Sequence, residues 1–65
     1  MLTRKDLENA TPGTQVTIKQ GRLKGTWVRI EDADPPYVYN MWVEISTGKV
    51  LYHWSSLLAE LKNEQ

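Results

Sequence analysis

The sequence predicts a mainly β fold: a small, partly open antiparallel barrel of about four to five short strands, with short N- and C-terminal helices. Three observations predict it. Several segments alternate polar and apolar residues, glycine- and proline-containing turns separate them, and both ends carry helix-start signals. The chain has 65 residues without a repeat or a linker, so residues 1–65 are expected to form a single domain.

The first element is expected to be a helix of one or two turns. Thr3 and Asp6 have the spacing of a capping box, with aspartate in place of the usual glutamate. Thr11-Pro12-Gly13 would end this segment. A first strand over Gln15–Lys19 follows, and Gln20-Gly21 predicts a turn into the next strand.

Two further hairpins complete the predicted sheet. The second strand starts at Lys24-Gly25, and the loop EDADPP separates it from a long third strand over Tyr37–Ile45. STGK predicts a turn into a fourth strand over Val50–Trp54. Ser55 or Ser56 would cap the last helix, whose apolar stripe consists of Leu57, Leu58 and Leu61.

Strand pairing is predicted by matching apolar residues across neighbouring strands. Pairing Ile30 with Tyr37 and Ser46 with Lys49 places apolar side chains opposite one another on one face of the third strand. That face is predicted to be the core, and it would contain Thr26, Val28, Ile30, Tyr37, Tyr39, Met41, Val43, Ile45, Val50, Tyr52 and Trp54. A partly open barrel of the SH3-like type is the expected closure.

Part of the first hairpin resembles a known motif. The order G-x-x-V-x-V-x-x-G-x-x-K-G is matched within residues 13–30 by Gly13, Val16, Ile18, Gly21, Lys24 and Gly25. This order resembles the KOW motif of certain large-subunit ribosomal proteins and transcription elongation factors. The resemblance implies an SH3-like barrel that contacts RNA or docks to another protein. A further glycine of the family pattern is replaced here by Val28.

Composition limits the classes of function. Eight basic and eight acidic residues give zero net charge, which argues against strong non-specific nucleic-acid binding. The chain has no cysteine, which fits a reducing compartment. It shows neither the apolar core of a signal peptide nor a run of about 18 apolar residues. We therefore expect a cytoplasmic domain with no membrane partner.

The other face of the predicted sheet is the first candidate binding site. In the predicted register Trp27 lies opposite Asn40 and Trp42 opposite His53, with Arg29 on the same face. Tryptophan and arginine are enriched at protein-binding hot spots, and aromatic faces also stack single-stranded bases. Two alternatives stay open: a terminal helix covers both tryptophans as a second core, or a second copy of the chain covers them.

Three basic residues flank the first turn, namely Lys19, Arg22 and Lys24. One interpretation is that they contact phosphates. The other, which the zero net charge favours, is that they form a solvated hairpin edge.

The residues give no indication of catalysis, and neither a metal nor another cofactor is expected. His53 is the only histidine and is expected to stack on Trp42, and a zinc site needs about four nitrogen or sulfur ligands. Glu31, Asp32 and Asp34 offer too few oxygens for a hard cation. No nucleophile is placed with a base and an oxyanion donor, so we expect a protein that is not an enzyme.

Three functions remain compatible with the sequence. The favoured one is a non-enzymatic module that docks a protein partner through the aromatic face. The second is an RNA-binding domain for single strands, and the third is a homo-oligomeric accessory protein. The small size would suit an accessory protein of a phage or mobile element.

Overall fold

The computed structural model describes residues 2–31 and 40–63, with the exception of the Asn63 side chain. Its four strands form one antiparallel sheet in the order β1-β2-β3-β4. The prediction of a mainly β fold with two short helices is confirmed. The four described strands form an open sheet that is not closed into a barrel. The elements are α1 (Arg4–Glu8), β1 (Gln15–Ile18), β2 (Gly25–Arg29), β3 (Trp42–Glu44), β4 (Val50–Leu51) and α2 (Trp54–Asn63).

Helix α1 begins with the predicted capping box. The Asp6 amide donates to Thr3 Oγ1 at 3.3 Å, and the Thr3 amide donates to Asp6 Oδ2 at 2.8 Å. The Thr3 amide and, at 3.1 Å, the Thr3 hydroxyl both donate to this carboxylate and hold the pKa of the Asp6 carboxyl below its ordinary value. Leu7 is the buried residue of this helix and packs into the core.

The β1–β2 hairpin follows the predicted glycine positions. Val16 pairs with Trp27 and Ile18 with Gly25. Gly21 in the turn has a φ of 96° and Gly25 at the start of β2 has a φ of 140°. Both values lie in the region that favours glycine, so the chain turns at one glycine and bends into β2 at the other, as expected.

The predicted pairing of the later strands is wrong in register. Trp27 pairs with Glu44 rather than with Asn40, and Val43 pairs with Val50 rather than with Tyr52. Both shifts are even, four residues and two, so the paired strand residues keep the faces that their alternation predicts. Of the predicted third strand over Tyr37–Ile45, only Trp42–Glu44 is a strand within the described residues; its part over 37–39 and the loop EDADPP from residue 32 onward lie outside them.

For the paired strand residues the assignment of core and solvent to the two faces is reversed, although two members of the predicted core, Met41 and Trp54, are buried or pack against the core. The buried core consists of Leu7, Val16, Ile18, Trp27, Trp42 and Leu57. Both helices thus pack on the sheet face that carries the tryptophans. Burying two indoles removes more apolar area from water than burying valines, and this gain favours the observed side.

Strand β4 is shorter than predicted, and helix α2 starts earlier. The chain bends at Tyr52 and His53, and the helix begins at Trp54 instead of after Ser55 or Ser56. The predicted leucine stripe is confirmed, because Leu57 is fully buried while Leu58 and Leu61 pack against the core. Neither helix in the described part of the chain is long and apolar enough to cross a membrane.

Candidate functional site

The predicted aromatic binding face lies inside the protein. Trp27 is 1% exposed and Trp42 is 0% exposed. The indole N–H of Trp27 donates to the Leu23 carbonyl at 2.8 Å, so its polar atom is satisfied as well. The prediction that these tryptophans face solvent is wrong. The alternative that terminal helices cover them is confirmed, since Leu7 and Leu57 belong to the same cluster.

Two other residues of the predicted binding face, Asn40 and Arg29, make contacts within the fold. Asn40 is buried, and its Nδ2 donates to the Leu7 carbonyl at 3.2 Å while its Oδ1 accepts the indole N–H of Trp42. Arg29 is half-buried beside Trp42, with which it pairs across β2 and β3, and it donates to the Ile30 carbonyl. Asn40 therefore joins α1 to the core.

His53 is exposed and caps helix α2. The Ser55 amide donates to His53 Nδ1 at 3.2 Å, and the Ser55 hydroxyl lies 3.0 Å from the same atom. Because an amide can only donate, Nδ1 must carry a lone pair in this arrangement. The imidazole packs on Trp54, with ring centroids 4.6 Å apart, and the expected stacking on Trp42 is wrong.

A contact that the sequence analysis missed joins the two helices. The guanidinium of Arg4 lies 5.2 Å from the centroid of Trp54, within the range of a cation–π interaction. The same guanidinium lies 3.7 Å from the Glu8 carboxylate. The i,i+4 spacing of Arg4 and Glu8 signals their pairing, but no local pattern places Trp54 beside them.

The sheet face opposite the helices is the first surface candidate, and we call it the outer face. Its strand residues are uncharged: Gln15, Thr17, Thr26, Val28, Val43 and Val50. Val28, Val43 and Val50 form one row across three strands. Ile45 extends the face, because its amide donates to the Thr26 carbonyl at 3.0 Å.

Several apolar side chains at or beside the outer face are exposed to solvent. Ile45 is 59% exposed, Val50 is 36% exposed, and Tyr52, directly after β4, is 65% exposed. They belong to the set predicted to point into the core. The alternating pattern correctly placed Ile45 and Val50 on one face. It does not locate the helices, which cover the opposite face and leave this one exposed.

A groove between the β1–β2 turn, β4 and α2 is the second surface candidate. Its volume is about 350 Å³, and it is lined by Arg22, Leu23, Lys49, Leu51, Ser56, Ala59 and Glu60. Of the three predicted phosphate-contacting residues, all of which are exposed, only Arg22 lines this groove; Lys19 and Lys24 do not.

No group of three or more metal-ligating side chains occurs within residues 2–31 and 40–63. Glu31 is exposed, whereas Asp32 and Asp34 lie outside the described residues.

Comparisons with protein-family models, curated proteins and solved structures gave no match to this chain. The surfaces themselves therefore carry the functional argument.

Proposed function

We propose that this chain is a non-enzymatic module that docks a protein partner through its outer face. The observation that carries the proposal is the exposure of Ile45, Val50 and Tyr52 on or beside an uncharged sheet face, opposite the face that both helices cover. Contiguous exposed apolar surface commonly marks an interaction site. Tyrosine is also enriched at binding hot spots, and Tyr52 is the most exposed of these side chains.

Charge favours a protein partner over a nucleic acid at this face. The strand positions of the outer face carry no cation, and the whole chain has zero net charge. Nucleic-acid binding depends mainly on neutralising phosphates with lysine and arginine. An uncharged apolar face offers instead what the centre of a protein interface requires.

RNA binding through the first hairpin is a second candidate. It is supported by the exposure of Lys19, Arg22 and Lys24 around a turn that resembles the KOW motif. All three glycines of that motif have positive φ, namely 97° at Gly13, 96° at Gly21 and 140° at Gly25. A KOW-like domain with SH3-like closure is part of this proposal. RNA affinity would fall steeply with salt and weaken in Lys24→Gln.

Site-specific crosslinking in the producing cells tests the main proposal. A photoreactive phenylalanine replaces Tyr52, and the matched control carries it in place of Glu8, an exposed residue of α1 on the other side of the sheet. We expect an adduct with one distinct protein from position 52 only. The purified partner should then bind the wild-type chain with little salt dependence, and Ile45→Ser should weaken that binding.

Three results would contradict this proposal. Adducts from positions 52 and 8 alike would show that the crosslinking is non-specific. An adduct only with a second copy of the chain would establish the homo-oligomeric alternative, which sedimentation at several concentrations would check. Binding that is unchanged by Ile45→Ser would remove the outer face from the interface.

A further inference from the structure

The groove beside α2 combines an apolar floor with charged edges. Ser56, Ala59 and Glu60 have the i, i+3, i+4 spacing that places them on one side of the helix, where they line the groove. Its volume of about 350 Å³ lies at the lower end of the range for ligand pockets. A groove of this size accommodates a few side chains of a bound segment rather than a large cofactor.

The floor of the groove is formed by apolar side chains. Leu23 and Leu51 are half-buried, and both pack against the core cluster. Ala59 is the small residue of the helical wall. Such apolar side chains favour an apolar side chain of the ligand, since its burial removes further apolar surface from water.

The two cations of the groove are available to a ligand. Arg22 comes from the β1–β2 turn, Lys49 directly precedes β4, and both side chains are exposed. Within residues 2–31 and 40–63 neither side chain makes an ion pair or a hydrogen bond. They lie on two different structural elements that border the same groove, so a single anion placed in it interacts with both positive charges.

Glu60 limits which anion fits. Its carboxylate packs against the backbone of Gly21, where Oε2 would lie only 2.6 Å from an added Cβ. The half-buried negative charge offsets part of the attraction of the two cations, so the groove favours a ligand with one negative charge over the repeated phosphates of a nucleic acid. The same oxygens accept hydrogen bonds, which backbone N–H groups of a peptide donate.

We propose that the groove binds a peptide segment of a protein partner in which one carboxylate side chain lies next to an apolar side chain. The carboxylate interacts with Arg22 and Lys49, the apolar side chain packs on Leu23, Leu51 and Ala59, and a backbone N–H donates to Glu60. This site is separate from the outer face, and the inference holds whether or not a partner docks there.

A nuclear magnetic resonance titration of the 65-residue chain tests this site. The probe is the terminally blocked peptide acetyl-Ala-Leu-Glu-Leu-Ala-amide, compared with the same peptide carrying glutamine in place of glutamate. We expect the glutamate peptide to shift the amide signals of Leu23, Leu51 and Ala59, and the glutamine peptide to bind more weakly. Outer-face residues away from β4, such as Thr17 and Ile45, should not respond.

Variants that remove one positive charge from the groove test where the carboxylate of the peptide binds. Arg22→Gln and Lys49→Gln should each lower the affinity for the glutamate peptide by about two- to fivefold, the usual range for exposed ion pairs. Lys62→Gln is the matched control, because Lys62 is an exposed lysine of α2 that does not line the groove. An equal effect of all three variants would show only a general charge effect and would overturn the assignment.

Ala59→Leu places a larger side chain in the groove without disturbing the helix, since both residues are good helix formers. It should abolish binding while the tryptophan signals of the core keep their positions. Absence of shifts up to the solubility limit of the peptide would overturn the proposal, as would equal binding of the glutamine peptide. Shifts at the same residues with a uridine oligonucleotide but not with the peptide would assign the groove to RNA instead.

Discussion

At the scale of single residues, the side chain of Glu44 packs closely against Gly25, where β2 begins. A Cβ added to Gly25 would lie 2.9 Å from both Cγ and Cδ of Glu44. Gly25 also has a φ of 140°, which side-chain-bearing residues rarely adopt. We therefore expect Gly25→Ala to lower the free energy of unfolding by about 1–3 kcal/mol from backbone strain, with the contact with Glu44 adding to this. Urea denaturation followed by tryptophan fluorescence measures the change.

The matched control for this variant is Gly48→Ala. Gly48 has a φ of 76°, but an added Cβ there would meet nothing within 4 Å. The control therefore carries the backbone strain without the steric contact, so it should be less destabilising than Gly25→Ala. Equal losses in the two variants would show that Glu44 moves away at no cost.

Other single residues show what local pattern leaves undetermined. The alternation of the sequence correctly placed Trp27 and Trp42 on one face, but it does not state which face the helices cover. That choice depends on contacts with Leu7 and Leu57, which are distant in sequence. The role of Asn40 was equally hidden, because its partners include the Leu7 carbonyl 33 residues away.

At the scale of elements, the two helix starts differ in how well the sequence predicts them. Thr3 and Asp6 are a recognised capping pair, so the start of α1 could be predicted. Helix α2 uses the imidazole of His53, and histidine is not among the residues normally expected at this position. The two serines that follow are better caps by type, and their presence led to the wrong boundary.

We predict that His53→Ala lowers the free energy of unfolding by about 1 kcal/mol, because the Ser55 amide loses its acceptor. His53→Asn should retain most of the stability, since the asparagine carbonyl accepts the same hydrogen bond. Thermal unfolding followed by circular dichroism compares the two variants. Equal losses would show that the packing of the imidazole on Trp54, rather than the cap, stabilises this helix start.

The β3–β4 turn depends on an ionised side chain. The Glu44 carboxylate accepts hydrogen bonds from the Ser46 hydroxyl and, at 2.7 Å, from the Ser46 amide. These bonds, the hydroxyl first, hold the pKa of Glu44 below its ordinary value. A carboxyl with a lowered pKa in the folded state stabilises the fold above its unfolded-state pKa. This contribution is lost as the pH falls through the folded-state value.

We therefore expect the wild-type chain to lose more stability than Glu44→Gln between neutral pH and a pH of about 3. The comparison is needed because Asp6 also has a lowered pKa and contributes to the acid sensitivity of both proteins. Urea denaturation at a series of pH values gives the two profiles. Parallel profiles would show that ionised Glu44 does not stabilise the turn.

At the scale of the whole molecule, both helices cover one face of the sheet, and no helix within residues 2–31 and 40–63 covers the other. Alternation, turn residues and the leucine stripe suffice to predict a small antiparallel meander with two helices. The same features do not decide whether the sheet closes into a barrel, and the four described strands leave it open. The register also could not be fixed by alternation, since an even shift preserves both faces. In the observed pairing the Glu44-centred turn is stabilised by hydrogen bonds that a polarity pattern does not contain.

Tryptophan emission tests this two-faced arrangement directly. Because Trp27 and Trp42 are fully buried and Trp54 is half-buried under Arg4, the folded protein should emit at short wavelength. Iodide should quench little of this emission, and Trp54→Phe should remove most of the quenchable part. A uridine oligonucleotide at low salt should leave the spectrum of this variant unchanged, since neither remaining indole reaches the surface. Quenching of the variant by RNA that salt reverses would mean that bases reach Trp27 or Trp42, and would contradict the core described above.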